Sequence, residues 1–380
     1  MPASELIELG AAQLGAGDGV GARDAYQRAL DASTSELDMC RALVGLASAE
    51  RLLSGFHAAL DYLRQAEPIA ADLGLERELA EIHYLRGGVL FSLGDGEGCQ
   101  REHQVALDHA ERCGLVEWRA RALSGLADAA FMMGDLHGAL WMFGEATALF
   151  DGAGLERAAA INRIMQGLCV AQARMELARA HELVDASASA CQRLGDEGTA
   201  AIALVVRAFL LEIEGRSAEL APCAELAIAE LRRLSIVRFE PEAMALLALA
   251  RHGLGDHEGA AALGREAAVA ARATALDFVG PMVLGALSRV AETEAERDAA
   301  LREGEALLPA NGMALNHLGF AGRALAGALE RGERARVERY ADLLAARLVR
   351  YGDLAYWASL VRRARSWLTS PPSTSGTGGS

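Results

Sequence analysis

A repeat of about forty residues constrains this chain more than any other feature of its sequence. Gly74-Leu75, Gly114-Leu115 and Gly154-Leu155 recur 40 residues apart, and Gly195-Asp196 follows 41 residues later. A second set of chain-turning positions lies between them at almost the same spacing: Gly55, Gly94, Gly134, Arg174, Gly215 and Gly255. Such a period is typical of arrays in which each unit buries its apolar face against its neighbours. The chain is therefore predicted to present a long surface, and catalysis is not the default expectation.

The composition favours helices. Hydrophobic residues make up 52% of the 380 residues but aromatic residues only 5%, and the good helix formers Ala and Leu carry most of the apolar share. The formal net charge of −15 repels phosphate backbones, so we do not expect a nucleic-acid partner. The six cysteines are scattered without metal-ligand spacing, which predicts free thiols, and no metal or cofactor site is expected.

The sequence contains no lysine. This excludes the phosphate-binding GxxxxGK[ST] loop, the kinase β3 lysine, Schiff-base chemistry and SxxK hydrolases. The first residues lack the basic and apolar regions of a signal peptide, and no run of 18 apolar residues occurs. We therefore expect a cytoplasmic protein that is not an enzyme and has no membrane partner.

One unit shows how each repeat is built. Apolar residues at i, i+3, i+4, i+7 and i+8 predict a first helix, helix A: Leu123, Leu126, Ala127, Ala130 and Phe131. Gly134-Asp135 ends it, and the spacing from Leu136 to Leu149 predicts a second helix, helix B, which Asp135 can cap. These offsets, with small residues between the helices, are those of the tetratricopeptide hairpin.

The predicted fold is an all-α, right-handed α-solenoid of tetratricopeptide-like hairpins with about 40 residues per unit. Residues 1–277 are expected to hold about seven units, the first of them partial. Residues 278–368 are expected to be atypical helical units that complete the solenoid, since Gly280-Pro281 interrupts the pattern. Residues 369–380 are Ser, Thr, Pro and Gly only, which predicts a disordered tail.

Two family resemblances follow from these segments. The hairpins resemble the long tetratricopeptide units of bacterial signalling regulators, including the helical domain of MalT-type transcription activators. Residues 279–368, with GPMVLGAL, ALREGEALL and NHLGFAGRALAGALE, resemble the C-terminal helical region that follows the cyclase and ATPase modules of large class III adenylate and guanylate cyclases. That family ends in EPLPW, whereas this chain keeps Trp357 and lacks both prolines. The resemblance implies a regulatory region, because the catalytic modules of that family lie upstream of it.

We therefore predict a non-catalytic protein–protein interaction and regulatory scaffold, whose partner is a protein, a peptide or a neighbouring domain. The alternative is the small-molecule-sensing helical domain of a MalT-like regulator, which requires an apolar pocket with convergent polar groups. From Arg331 to Arg365 nine arginines face four acids, which indicates either a solvated helix pair or a dock for an acidic partner.

A stripe on the A helices is the candidate binding site. The third unit carries His83 and Arg86, the fifth carries Arg163 and Gln166, and the sixth carries Arg207. In tetratricopeptide arrays the A helices line the groove that holds extended peptides, where an arginine can pair with a carboxylate. The alternative is that these residues are solvated or form salt bridges between repeats.

Two other patterns are explained without a ligand. The glycine-rich segment 94–98 lies where helix A turns into helix B and follows no strand, so a turn is favoured over a phosphate loop. The pairs His103/His109 and His252/His257 have spacings that place them on different helix faces or across a turn. We therefore expect surface histidines there and no metal ligands.

Overall fold

The computed structural model describes residues 1–310 and 312–369, and these residues form nineteen α-helices, one short 3-10 helix (Leu308–Ala310) and no strand. The α-helices are α1 Ala3–Gly15, α2 Gly19–Ala32, α3 Glu36–Leu52, α4 Phe56–Asp72, α5 Glu76–Ser92, α6 Gly96–Cys113, α7 Val116–Met133, α8 Leu136–Gly152, α9 Glu156–Arg174, α10 Leu177–Leu194, α11 Glu197–Glu214, α12 Ser217–Arg233, α13 Glu240–Gly253, α14 His257–Thr274, α15 Leu276–Val290, α16 Glu294–Leu307, α17 Ala314–Arg331, α18 Arg334–Tyr351 and α19 Ala355–Thr369. Odd-numbered helices are A helices and even-numbered ones are B helices. The predicted all-α fold of repeated helical hairpins is confirmed.

Glycines at the helix ends make the turns. Gly114 and Gly134 follow α6 and α7 with φ values of 65° and 91°, a left-handed conformation that only glycine adopts without strain. Gly74, Gly154 and Gly195 have positive φ in the same way. The glycines that recur about every forty residues therefore mark the ends of helices, as the turn interpretation predicts.

An aspartate begins several B helices and explains a second set of glycines. The side chain of Asp135 accepts a hydrogen bond from the Gly138 backbone N–H at 2.8 Å, which satisfies one orphan donor of the first turn of α8. A Cβ on Gly138 would lie 2.1 Å from Asp135 Oδ2, so a larger residue would displace the capping carboxylate from this position. Asp18, Asp95 and Asp256 cap α2, α6 and α14 on a glycine three residues later in the same way.

The chain divides into two compact units, residues 1–166 and the described residues from 167 onward. In unit 1, alanines that are at most 1% exposed let the helices approach closely, while Leu43, Leu63 and Ile82 fill the seams between α3, α4 and α5. In unit 2, α13 is buried along almost its whole length, from Pro241 to Ala250. The sequence-based boundary at 277/278 falls in the first turn of α15, and whether it separates domains stays a prediction.

Pro281 lies inside α15 and does not end the helix. A proline lacks the N–H that would bond the carbonyl four residues earlier, here that of Asp277. The side-chain amide of Asn316 on α17 donates to the carbonyl oxygens of Asp277 at 3.3 Å and Phe278 at 3.0 Å. The neighbouring helix therefore supplies a donor that the proline removed. The predicted interruption at Gly280-Pro281 is therefore not a break in the helix.

The predicted tail, 369–380, lies outside the described residues except for Thr369, the last residue of α19. None of the helices in the described ranges is both long and apolar enough to span a membrane. None of the six cysteines is in a disulfide, and four of them are buried.

Candidate functional site

His83 and Arg86, the first predicted site residues, lie on α5 between two B helices. His83 Nδ1 is 2.7 Å from Glu102 Oε2 of α6, and its Nε2 is 3.7 Å from Glu67 Oε1 of α4. Arg86 pairs with the same two carboxylates, at 2.5 Å from Glu67 and 3.4 Å from Glu102. The four side chains form a network that joins three helices. Its carboxylates already neutralise the cation that the groove hypothesis offers to a partner.

The other predicted residues also bond to B helices. Arg163 on α9 contacts both carboxylate oxygens of Asp151 at 2.5 and 2.6 Å, and Gln166 donates to Thr147 Oγ1 at 2.7 Å. In unit 2, Arg207 on α11 pairs with an aspartate of α10. The salt bridges between helices that were the alternative for this stripe are therefore present. Binding of an acidic partner by the same residues stays a prediction.

His103 is a buried residue, so the expectation of a surface position is wrong. It is 2% exposed on α6, where its ring lies against Gly87 of α5 and Gly125 of α7. Its Nδ1 is buried without a hydrogen-bond partner, and burial lowers the pKa of its imidazole to about 4. The ring fills a gap that two glycines leave. Across the described ranges, no group of three potential metal ligands occurs.

Helices α1, α2, α3 and α5 of unit 1 line a cavity of about 370 Å³, which we call the N-terminal cavity. Its apolar walls come from α1, α2 and α3. They are the side chains of Ile7, Ala11, Leu14, Tyr26 and Val44. Its polar lining comes from α3 and α5. These residues are Arg41, Ser48, Arg77, Glu78 and Glu81. None of them belongs to the predicted stripe.

The polar groups of this cavity are unequally satisfied. Arg41 donates to Glu78 Oε1 from two nitrogens, at 2.9 and 3.0 Å. Glu81 and the hydroxyl of Tyr26, in contrast, have no hydrogen bond to any other described residue, although Tyr26 is only 5% exposed. Burial raises the pKa of Glu81, and burial together with the charge of Glu81 raises the pKa of Tyr26 to about 12. A carboxylate and a phenol therefore line the cavity beside its apolar walls without a hydrogen-bond partner among the described residues.

Unit 2 places a charged cluster among its A helices. Arg323 of α17 is 4% exposed and bonds the carboxylates of Glu212 on α11 and Glu242 on α13, at 2.7 and 2.8 Å. It also donates to the carbonyl of Met282 at 3.1 Å. Burial opposes the charge of Arg323, but the two glutamates outweigh it and raise its pKa. Burial raises the pKa of Glu242. The arginine thus holds together helices that are far apart in sequence.

The last helix, α19, closes against this cluster. Trp357 is 3% exposed, and its indole N–H donates to Gln172 Oε1 of α9 at 3.0 Å. A Cβ on Gly322 would lie 2.6 Å from the Trp357 ring, so glycine makes room for it. Beside these residues lies a second cavity of about 290 Å³. Its lining includes Phe209, Glu212, Tyr356, Leu360 and Arg363.

Comparisons with known proteins identify the fold. No protein-family model matches the sequence, and no curated protein matches it. Among solved structures, the apo form of RapI superposes with a TM-score of 0.61 at 11% identity, covering 93% of this chain and 99% of that one. Aspartyl phosphate phosphatase F from Bacillus subtilis gives 0.58 at 11% identity, covering 92% of this chain and 95% of that one.

A third structure is a signal transduction ATPase with a tetratricopeptide repeat sensor from Pyrococcus horikoshii. It gives a TM-score of 0.53 at 15% identity and covers 76% of this chain but 44% of that one. At such identities a likeness speaks for the fold only. The chain has the fold of the tetratricopeptide-like helical repeat proteins.

Proposed function

We propose that the chain is a non-catalytic interaction and regulatory scaffold that binds a peptide or protein segment on its A helices. The observation that carries this proposal is the N-terminal cavity, where apolar walls lie beside a carboxylate and a hydroxyl that have no hydrogen-bond partner among the described residues. Concave sites with a few convergent polar groups are the usual form of a binding site. The negative net charge favours a protein or peptide over nucleic acid, and the proposed role is cytoplasmic.

The structural neighbours support a regulatory role. The protein from Pyrococcus horikoshii is described as a signal transduction ATPase whose tetratricopeptide repeats are its sensor. By analogy of fold, we propose that this chain passes a binding event to a partner or to a neighbouring domain. More specifically, the resemblance of residues 279–368 leads us to propose that the chain is the regulatory region of a bacterial cyclase-type signalling protein. Finding a cyclase or ATPase module encoded upstream in the same reading frame would support this form.

A second candidate function is small-molecule sensing of the MalT type. The cavity beside Trp357 favours it, because Phe209, Tyr356 and Leu360 give it apolar surface and Glu212 and Arg363 give it charge. Finding a helix-turn-helix module in the same reading frame would support this alternative. So would a small metabolite that raises the melting temperature of the wild-type chain but not that of a variant in which Ala326, another lining residue, is replaced by Phe.

The experiment that tests the scaffold is a pull-down with a matched pair of variants. Ala11 and Ala12 are adjacent exposed residues of α1, but only Ala11 lines the N-terminal cavity. Ala11→Trp is expected to fill the cavity and to lose partners that the wild type captures from cell extract, while Ala12→Trp retains them. Mass spectrometry identifies the captured proteins. If Ala11→Trp captures the same proteins as the wild type, the cavity is not the binding site.

A further inference from the structure

We propose that the N-terminal cavity recognises a primary ammonium group attached to an apolar body, the chemistry that the free N-terminal hydrophobic residue of a peptide presents. This inference rests on the proposed function, because it names the ligand chemistry of the same cavity. The stripe of His83, Arg86, Arg163, Gln166 and Arg207 predicts an acidic partner instead, so the two hypotheses require ligands of opposite charge.

The walls of the cavity fit an apolar body. Ile7 and Leu14 are partly buried on α1, and Val44 on α3 is 4% exposed. With Tyr26 beneath them, they present aliphatic and aromatic surface on three helices. A volume of about 370 Å³ accommodates one large side chain and the backbone that carries it. Burying such a side chain supplies affinity but does not choose the charge of the ligand.

The charge inventory selects an ammonium. Arg41 is already paired with Glu78, and Arg77 extends into solvent with 53% of its side chain exposed and its nearest nitrogen 4.0 Å from Glu78. Glu81 is left as a carboxylate with no hydrogen-bond donor from the described residues, and Arg77 and Arg121 of α7 act on it only through their charge; the hydroxyl of Tyr26 lies close to it. A ligand carboxylate would be repelled by Glu81.

A ligand ammonium satisfies these groups. It brings three donors, which Glu81 and the oxygen of Tyr26 can accept. A charge-assisted hydrogen bond is stronger than one between neutral groups. Burial also raises the pKa of Glu81 against the opposing charges of Arg77 and Arg121, and a bound cation would favour its charged form further. Glu81 is thus the group in the cavity whose carboxylate a ligand can supply with hydrogen-bond donors.

The test is isothermal titration calorimetry on the full chain with four probes. They are the amide of Leu-Gly-Gly, its N-acetylated form, the amide of Gly-Gly-Gly, and isoamylamine. We expect the leucine peptide to bind, and acetylation or loss of the leucine side chain to weaken it about tenfold or more. Isoamylamine separates the two sources of this chemistry. If it binds as well as the peptide, a small amine is sufficient; if it binds much more weakly, the ligand is a peptide N-terminus.

Glu81→Gln removes the charge and keeps the shape, so it is expected to weaken the leucine peptide about tenfold or more. Glu97→Gln is the matched control, because the side chain of Glu97 is 85% exposed on α6, and it is expected to change nothing. Melting curves establish that both variants are folded. If Glu81→Gln does not fold, the comparison of free and acetylated peptide on the wild type still decides.

The inference is overturned if the acetylated peptide binds as tightly as the free one, if Glu81→Gln binds like the wild type, or if no probe binds. Its failure is distinguishable from failure of the proposed function. Suppose that Ala11→Trp loses the partners, that Ala12→Trp keeps them and that no amine probe binds. The proposed scaffold function then stands, and only the proposal of an ammonium ligand is wrong.

Discussion

The fit of His103 between two glycines gives the sharpest quantitative prediction. A Cβ on Gly125 would lie 2.3 Å from the Cε1 and Nδ1 atoms of this imidazole, and one on Gly87 would lie 2.6 Å from it. The ring is 2% exposed and cannot swing into solvent. Gly125→Ala therefore overpacks the site, at a cost of about 1–3 kcal/mol. Alanine in a helix interior is about 1 kcal/mol more favourable than glycine, so the net loss is up to about 2 kcal/mol.

A double-mutant cycle separates the two effects. In a His103→Ala background the ring is absent, and Gly125→Ala should then stabilise the protein by up to about 1 kcal/mol through helix propensity alone. The coupling energy between the two positions is expected to be about 1–3 kcal/mol. Gly88→Ala is the control, because Gly88 lies in the interior of α5 and no atom lies within 4 Å of the added Cβ.

The assay is urea unfolding followed by circular dichroism, with the free energy of unfolding taken at equal slope. Gly88→Ala should raise it and Gly125→Ala should lower it. The reasoning is refuted if Gly125→Ala stabilises the wild type as Gly88→Ala does, or if the coupling energy is below about 0.5 kcal/mol, the value at which positions count as independent. Either result would mean that the ring can move aside without loss of packing.

Three further predictions concern charge. Burial lowers the pKa of His103 to about 4, so between pH 6.5 and 4 the unfolded chain binds a proton that the folded chain does not. The free energy of unfolding should therefore fall by about 3 kcal/mol as the pH falls from about 6.5 to about 4. Urea midpoints of the wild type and of His103→Gln, measured at both pH values, test this. Arg323→Gln should cost about 3–5 kcal/mol at neutral pH, because two buried glutamates lose their counter-charge, and a melting curve close to that of the wild type would contradict it. Replacing Arg86, Arg163 and Arg207 together by Ala should weaken binding of a polyglutamate probe without unfolding the chain; unchanged affinity in calorimetry removes the acidic-partner hypothesis.

Local features of the hairpins are predictable from sequence. Gly134 and Asp135 mark the end of α7 and the start of α8, and the structure has them as a left-handed helix end and a side-chain cap. Both depend on interactions within a few residues of each other, such as the bond from the Gly138 N–H to Asp135. Backbone conformation and capping are local, so a single sequence contains the information for them.

The candidate site was less predictable. Helical periodicity shows that Arg86 and Arg163 share a face of their helices, but not whether that face meets the B helices or a groove. In the structure both pair with acids of B helices, while the cavity is lined by Arg41, Glu78 and Glu81. The apolar stripe of a helix covers an arc of about 100° or more. The face toward the B helices and the face toward a groove lie too close together for periodicity alone to separate them.

By itself, the sequence determined the repeat length, the helical hairpins, their turns and their caps, since these follow from contacts between residues close in the chain. Only the tertiary structure decided which polar groups are left without partners. Glu81 and Tyr26 meet at one cavity although 55 residues separate them in the sequence, and Arg323 meets Glu212 across 111 residues. Such long-range contacts depend on how small packing angles accumulate from one hairpin to the next, and no single segment of the sequence determines the accumulated angle.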